Sequence, residues 1–166
     1  MTINTAHFSS LSADELYGIL RLRAEVFVVE QDCPYQDLDD RDRDSYQVWA
    51  TDGGETVGCL RVFMYDSTYA QIGRVVTSRK IRGEGWGLEM MKAGIRIVKE
   101  HYGDAPILIH AQSYATGFYE KLGFRISSEE FLEDGIPHYG MIRPARISIS
   151  EYGKTLIQSN QPHRLP

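Results

Sequence analysis

Apolar residues recur at helical spacing in two stretches of the chain and cluster into strand-like runs elsewhere. Ser12-Ala13-Asp14-Glu15 has the form of a capping box, in which Ser12 accepts from the Glu15 amide and Glu15 reaches back. Leu16, Ile19, Leu20, Val26 and Phe27 follow at steps of three and four, so the spacing predicts a first helix over residues 13–29. Residues 31–45 are polar and are expected to form a loop. Two strand-like runs, 46–51 and 56–65, flank Asp52-Gly53-Gly54-Glu55, a hairpin signal. Asp66-Ser67-Thr68 turns the chain into a third run, 70–77, which completes an antiparallel meander.

Arg82-Gly83-Glu84-Gly85-Trp86-Gly87 opens a second helix, with Leu88, Met91, Ile95, Val98 and Tyr102 along its apolar face. Pro106 restarts the chain ahead of a short buried strand, 107–111. Residues 114–121 read as a short helix stopped at Gly123. Runs 124–131 and 138–143 make a last strand pair around Glu133-Asp134-Gly135. The pattern weakens after Pro144. The reading is one α/β domain over residues 1–145, with 146–166 as a C-terminal extension or tail. Its sheet is mixed: the meander, then 107–111 entering parallel beside 70–77, with the intervening helix as the crossover a parallel neighbour needs.

Composition narrows the function classes. The 166 residues carry 18 Lys and Arg against 23 Asp and Glu, a net charge of −5, with basic residues scattered. That disfavours nucleic acid as the main partner. A 42% hydrophobic and 25% charged chain of this length can bury a full core, which excludes global disorder. Cys33 and Cys59 lie far apart, outside any zinc or disulfide pattern. The N-terminal stretch lacks a signal-peptide pattern and no apolar run reaches membrane length, so a soluble, cytoplasmic protein with no membrane partner is expected.

The most informative chemistry is the glycine-rich turn between a strand and a helix. A helix start presents unpaired amides, and glycines let a large anion approach them, which describes a pyrophosphate cradle. A P-loop would end Gly-Lys-Ser/Thr, but this one ends Trp86-Gly87-Leu88. A dinucleotide fingerprint counted from Gly83 needs glycine where Leu88 stands. A turn without a ligand is the plain alternative.

Arg82-x-x-Gly85-x-Gly87, after the strand Gly73-Arg74-Val75-Val76-Thr77, resembles the acetyl-CoA-binding motif of the GCN5-related N-acetyltransferases. Ala115-Thr116-Gly117-Phe118-Tyr119-Glu120-Lys121-Leu122-Gly123-Phe124 resembles that superfamily's second cofactor motif. The segments Val28–Asp39 and Glu133–His138 are similar to those of the ElaA-like branch, and the likeness spans roughly residues 8–144. The resemblance implies a GNAT-like mixed sheet, flanked by helices, whose strands 70–77 and 107–111 splay to admit pantetheine. It implies that Val75, Val76 and Thr77 offer backbone groups to the acetyl and pantetheine, and that Arg82, Gly83, Glu84, Gly85, Gly87 and Leu88 supply amides to the pyrophosphate. Gln112 stands where many relatives carry Asn. Acetyl-CoA would be the co-substrate, with no metal.

Acetyl transfer passes through a tetrahedral oxyanion, which a backbone N–H freed by a strand bulge can stabilise. The Val76 amide is favoured for this, with Val75 as the competing register. Tyr119 is the expected general acid for the leaving thiolate. A phenol near 10 donating to a thiolate near 8.5 is uphill by roughly 2 kcal/mol, which a modest lowering of the phenol pKa would remove. The alternative for Tyr119 is a core aromatic. The amine must also lose a proton, and the candidate bases are His138, Glu30, Asp37 or a water chain. His138 is equally readable as a strand-end histidine bonded to backbone, and Glu30 as the partner of Arg21 or Arg23.

Asp37, Asp39, Asp40, Asp42 and Asp44 do not fit a calcium loop, because Ser45 and Thr51 stand where Gly and Glu are needed. They read either as a solvated loop or as a lip that attracts a cationic amine. His7, His101, His110 and His163 show no metal-ligand spacing. There is no nucleophile elbow, and Cys33 lacks an identifiable base, so direct attack in a ternary complex is the simpler chemistry. The expected function is acetyl transfer to a primary amine of a small molecule or peptide, cationic acceptors included. A non-catalytic CoA-thioester-binding module and a transferase of another acyl group are the alternatives.

Overall fold

The computed structural model describes residues 1–145; the extension at 146–166 lies outside the described residues. A seven-stranded sheet runs in the order β1 (Thr2–His7), β2 (Tyr46–Asp52), β3 (Glu55–Met64), β4 (Ala70–Thr77), β5 (Ile107–Gln112), β7 (Ile136–Arg143), β6 (Arg125–Glu133). All neighbours are antiparallel except β4 and β5, which are parallel. The expected meander and parallel entry are therefore what forms. Among the described residues no helix is long and apolar enough to cross a membrane.

Two helices cover opposite faces. α1 (Ala13–Arg23) starts at the expected capping box, with the Glu15 amide 3.1 Å from Ser12 Oγ and the Ser12 amide 2.9 Å from Glu15 Oε2. Ile19, Leu22 and Val26 pack on Trp49, Cys59 and Val76. α2 (Trp86–Tyr102) covers the other face, where Val48, Leu60, Val62 and Ile72 point. The alternation of a strand explains the split: neighbours such as Cys59 and Leu60 serve opposite helices.

Some boundaries differ from the expected ones. The first helix does not run on regularly to residue 29; Ala24–Glu30 widens into a π-helical turn in which the Gln31 amide reaches the Val26 carbonyl. The turn keeps Val26 in the core while Phe27, Glu30 and Gln31 line a cavity. The buried stripe of α2 is centred on Met90, Met91, Gly94, Ile97 and Val98, one position round from the expected face; Leu88, Ile95 and Tyr102 are half-buried. Gly94 lies on that stripe because a Cβ there would sit 3.2 Å from both Ile72 and Leu60. β1 is an edge strand with no strong alternation, and the apolar pattern alone does not reveal it.

Candidate active site

β4 and β5 pair only at Ala70–Ile107 and Gln71–Leu108. Beyond that they part, and a cavity of about 410 Å³ opens between their C-terminal ends. Val75, Val76, Thr77, Arg82, Gln112, Tyr119 and His138 all line it. Seven residues from five separate parts of the chain are thus brought to one space.

β4 carries the expected bulge. Cys59 faces Val76 and Arg61 faces Gly73, so Leu60 alone is opposed by both Arg74 and Val75. The extra residue reverses the alternation: Ile72 and Val75 pack toward α2, and Val76 packs toward α1. The bulge is centred on Arg74 and Val75, beside both candidate amides. Arg74 has φ +53°, a left-handed conformation that costs a non-glycine residue about 1–2 kcal/mol.

The turn after β4 is held by Arg82. Its Nε and Nη2 donate to the Thr77 carbonyl at 3.1 and 3.0 Å, and its guanidinium pairs with Glu30. The side chain thus braces the turn, and the Thr77 carbonyl is already taken. Gly83 and Gly85 have φ +81° and +85°, where only glycine is relaxed. The amides of Arg82, Gly83, Gly85 and Gly87 have no backbone acceptor among the described residues. Those of Glu84 and Leu88 differ from expectation: they donate to Ile81 at 3.4 Å and to Gly85 at 3.1 Å, closing the turn on itself. Four free amides at the start of a long helix suit an anion. Gln112 Nε2 donates to Gln31 Oε1 at 3.3 Å, so its amide is tied to the π-helical turn.

Tyr119 lies in α3 (Thr116–Glu120), edge-on to Phe118 and Phe124 with ring centroids 5.0 and 6.0 Å away. Burial pushes its phenol well above the usual range, and Tyr114 adds to this. The expected lowering is therefore reversed: Tyr119 stays protonated but is a weaker acid than a free phenol. His138 is 7% exposed. Its Nδ1 lies 2.7 Å from the Ile136 carbonyl, which can only accept, so Nδ1 carries the proton. Its Nε2 faces Glu133 Oε2 at 3.6 Å. Glu133 also meets His110 Nδ1 at 2.9 Å, and that bond holds its carboxyl below the usual range.

The other candidate bases are engaged elsewhere. Glu30 pairs with Arg82 and Arg79, not with Arg21 or Arg23, and Arg82 holds its carboxyl low. Arg21 instead meets Glu55. Asp37 is buried between Arg23 Nε at 2.8 Å and Arg74, and its Oδ1 accepts from the Tyr35 hydroxyl at 2.7 Å. The acidic loop is consequently neither wholly solvated nor an open lip. Asp37 and Asp42 are buried against Arg23, and Asp39 is clamped by Arg61 through two 2.6 Å bonds. Asp40 and Asp44 remain exposed. The sequence held a signal for this: Arg23 continues the stripe Ile19, Leu22, Val26, and a charge on an apolar stripe needs a buried partner. Gln31, Tyr35, Arg61, Arg74, His110 and Glu133 line the cavity and were not among the expected site residues. Among the described residues no cluster of His, Cys, Asp and Glu has metal-binding geometry.

The acetyltransferase (GNAT) domain family matches residues 9–143. ElaA of Escherichia coli is 40% identical over 141 residues, 82% of this chain and 92% of that protein. Its crystal structure superposes with a TM-score of 0.82 at 37% identity, over 86% of this chain and 99% of that one. An acyl-CoA N-acyltransferase from Pseudomonas aeruginosa superposes with a TM-score of 0.81 at 36% identity, over 86% and 99%. An aminoglycoside 6′-N-acetyltransferase complexed with coenzyme A shares the fold at 16% identity, with a TM-score of 0.67 over 87% and 97%. With a splayed parallel pair, a bulged β4 and a glycine-rich start to α2, the chain belongs to the GNAT acetyltransferase family, on its ElaA-like branch.

Proposed function

We propose that the protein moves an acetyl group from acetyl-CoA to a primary amine by direct attack in a ternary complex. The observation that carries this is the cavity between the parted ends of β4 and β5, bordered by the bulge, by Tyr119 and by Arg82 of the turn that leads into α2. The free amides of Arg82, Gly83, Gly85 and Gly87 suit a pyrophosphate, and the gap between the strands suits the narrow pantetheine arm. The amine lone pair attacks the thioester carbon, a C–N bond forms, and the carbonyl oxygen takes up negative charge. The amide of Val75 or Val76 stabilises that charge. Collapse breaks the C–S bond, and Tyr119 supplies a proton to the departing thiolate. His138 takes the proton lost by the amine at Nε2, where Glu133 Oε2, 3.6 Å away, favours the imidazolium that forms.

One observation favours a second reading. The raised Tyr119 phenol makes protonation of the thiolate more uphill than for a free tyrosine. A module that holds CoA thioesters without turnover needs no such donor. Acetyl-CoA-dependent thiol release, measured across a panel of small-molecule and peptide amines, separates the two. Turnover with at least one amine supports transfer. Tight CoA binding with no release on any amine supports the binding module.

A further inference from the structure

Arg74 is a bulge residue in β4 with a left-handed backbone. The other non-glycine residues with positive φ among the described residues are aspartates: Asp32, Asp40 and Asp134. An aspartate's short side chain bonds locally and tolerates that conformation; an arginine's does not. Glycine is the relaxed choice at such a bulge, so an arginine there implies that its side chain serves something.

That side chain grips the segment carrying the aspartates. Arg74 Nη2 donates to the Asp37 carbonyl at 2.9 Å and lies 3.4 Å from Asp39 Oδ2. Its Nε lies 2.7 Å from Asp37 Oδ1, close but out of line for a hydrogen bond. The guanidinium carbon sits 5.8 Å from the Tyr35 ring centre, over its face. The far end of this grip is itself fixed. Arg23 of α1 holds Asp37 and Asp42, and Arg61 of β3 holds Asp39 with both terminal nitrogens. Arg61 stands opposite Gly73, one residue before the bulge. Three arginines and three aspartates therefore lock the 35–42 segment to α1 and to the strand pair that carries the bulge.

We infer that Arg74 is a positioning residue: its hold on Asp37 and Asp39 fixes the bulge, and with it the aim of the Val75 and Val76 amides. The consequence for rate rests on the acyl-transfer reading above; the coupling of side chain to amide does not.

The test uses Arg74→Gly, which relaxes the backbone while removing the grip. Arg74→Lys is the safer second variant, since it keeps the charge but lacks the fork that meets two aspartates at once. Two readouts are taken on each: the backbone amide resonances of Val75 and Val76, and kcat and KM on the best amine of the panel. In Arg74→Gly both resonances should shift or broaden, and kcat should fall by about 10²-fold with the KM for acetyl-CoA held. Arg74→Lys should move them the same way by less. Resonances at their parent positions in either folded variant overturn the inference, as does a parent kcat in Arg74→Gly. If the parent transfers to no amine, the acyl-transfer reading fails, while the resonances still decide whether Arg74 sets the bulge.

Discussion

Arg23 Nε donates to Asp37 Oδ2 across 2.8 Å, and the two side chains keep only 1% and 6% of their surface in contact with solvent. Burial alone would weaken Arg23's hold on its proton; the bonds and charges of Asp42 and Asp37 outweigh it, so the guanidinium is firmly charged. Removing one partner of such a pair leaves an uncompensated charge, at about 3–5 kcal/mol. Asp37→Asn keeps the shape, and Asp42 still compensates part of the charge, so urea unfolding should show a loss near the lower end, about 3 kcal/mol. A loss below about 1 kcal/mol would place the pair with exposed ion pairs.

Acid should attack the same network. The Arg61 bond holds the Asp39 carboxyl down at about 2, and Arg61 and Arg74 add charge. Burial pushes Asp42 up, but Arg23 and Arg61 bring it below the usual range overall. A carboxyl depressed in the folded state contributes stability that is complete above its unfolded pKa of about 3.9 and is lost as pH falls through the folded value. Thermal unfolding between pH 5 and pH 2 should therefore show the parent losing Tm mostly below about pH 4. Asp39→Asn should start lower and fall less steeply. Parallel curves would mean that Asp39 is not depressed.

The split between what the sequence reveals and what it hides follows from the range of the interactions. The capping box, the Gly53-Gly54 hairpin and the α2 amphipathic pattern are local, and each is legible in a few residues. The parallel entry of β5 follows from a helix standing between two strands. The Arg23–Asp37–Arg74 network is not legible that way, because it joins α1, a loop and β4 across sequence separations of 14 and 37 residues. Five aspartates in a polar run read as a solvated loop or a lip for a cationic amine until the fold places Arg23, Arg61 and Arg74 against Asp37, Asp39 and Asp42. The bulge shows the same limit. Its neighbourhood is readable, but whether residue 74, 75 or 76 is the extra one depends on register with β3.

The turn into α2 offers a cleaner binding test than its glycine content suggests. Gly85 has φ +85°, so any substitution there strains the backbone even though a Cβ would meet nothing within 4 Å. Gly87 has no such restriction, and a Cβ there would meet Phe118 at an ordinary 3.6 Å. Gly87→Glu should consequently fold with a Tm near the parent's and place a carboxylate beside the free amides. Calorimetry should show CoA binding weakened by tenfold or more, about 1.4 kcal/mol. Unchanged affinity would remove the pyrophosphate from this turn. Arg82→Ala should act differently, by loosening the Thr77–Glu30 brace, and should weaken binding less.

Tyr119 separates catalysis from packing because its two parts do different things. The ring packs edge-on between Phe118 and Phe124, and Tyr119→Phe preserves that. The hydroxyl has no hydrogen-bond partner among the described residues, so its removal breaks no bond of the fold. Thermal stability and acetyl-CoA affinity should therefore change little. If the hydroxyl protonates the leaving thiolate, single-turnover acetyl transfer with acetyl-CoA saturating should slow by about 10²–10⁴-fold. The pH dependence gives a second check. The donor must be protonated, and burial raises its pKa above the free phenol value near 10. The parent should then keep its rate up to about pH 10, with no alkaline loss near pH 9 assignable to this residue. A variant that transfers at the parent rate would make Tyr119 a core aromatic alone. A parent that loses its rate near pH 9 by a titration that vanishes in Tyr119→Phe would show a phenol whose pKa binding lowers, opposite to the effect of burial.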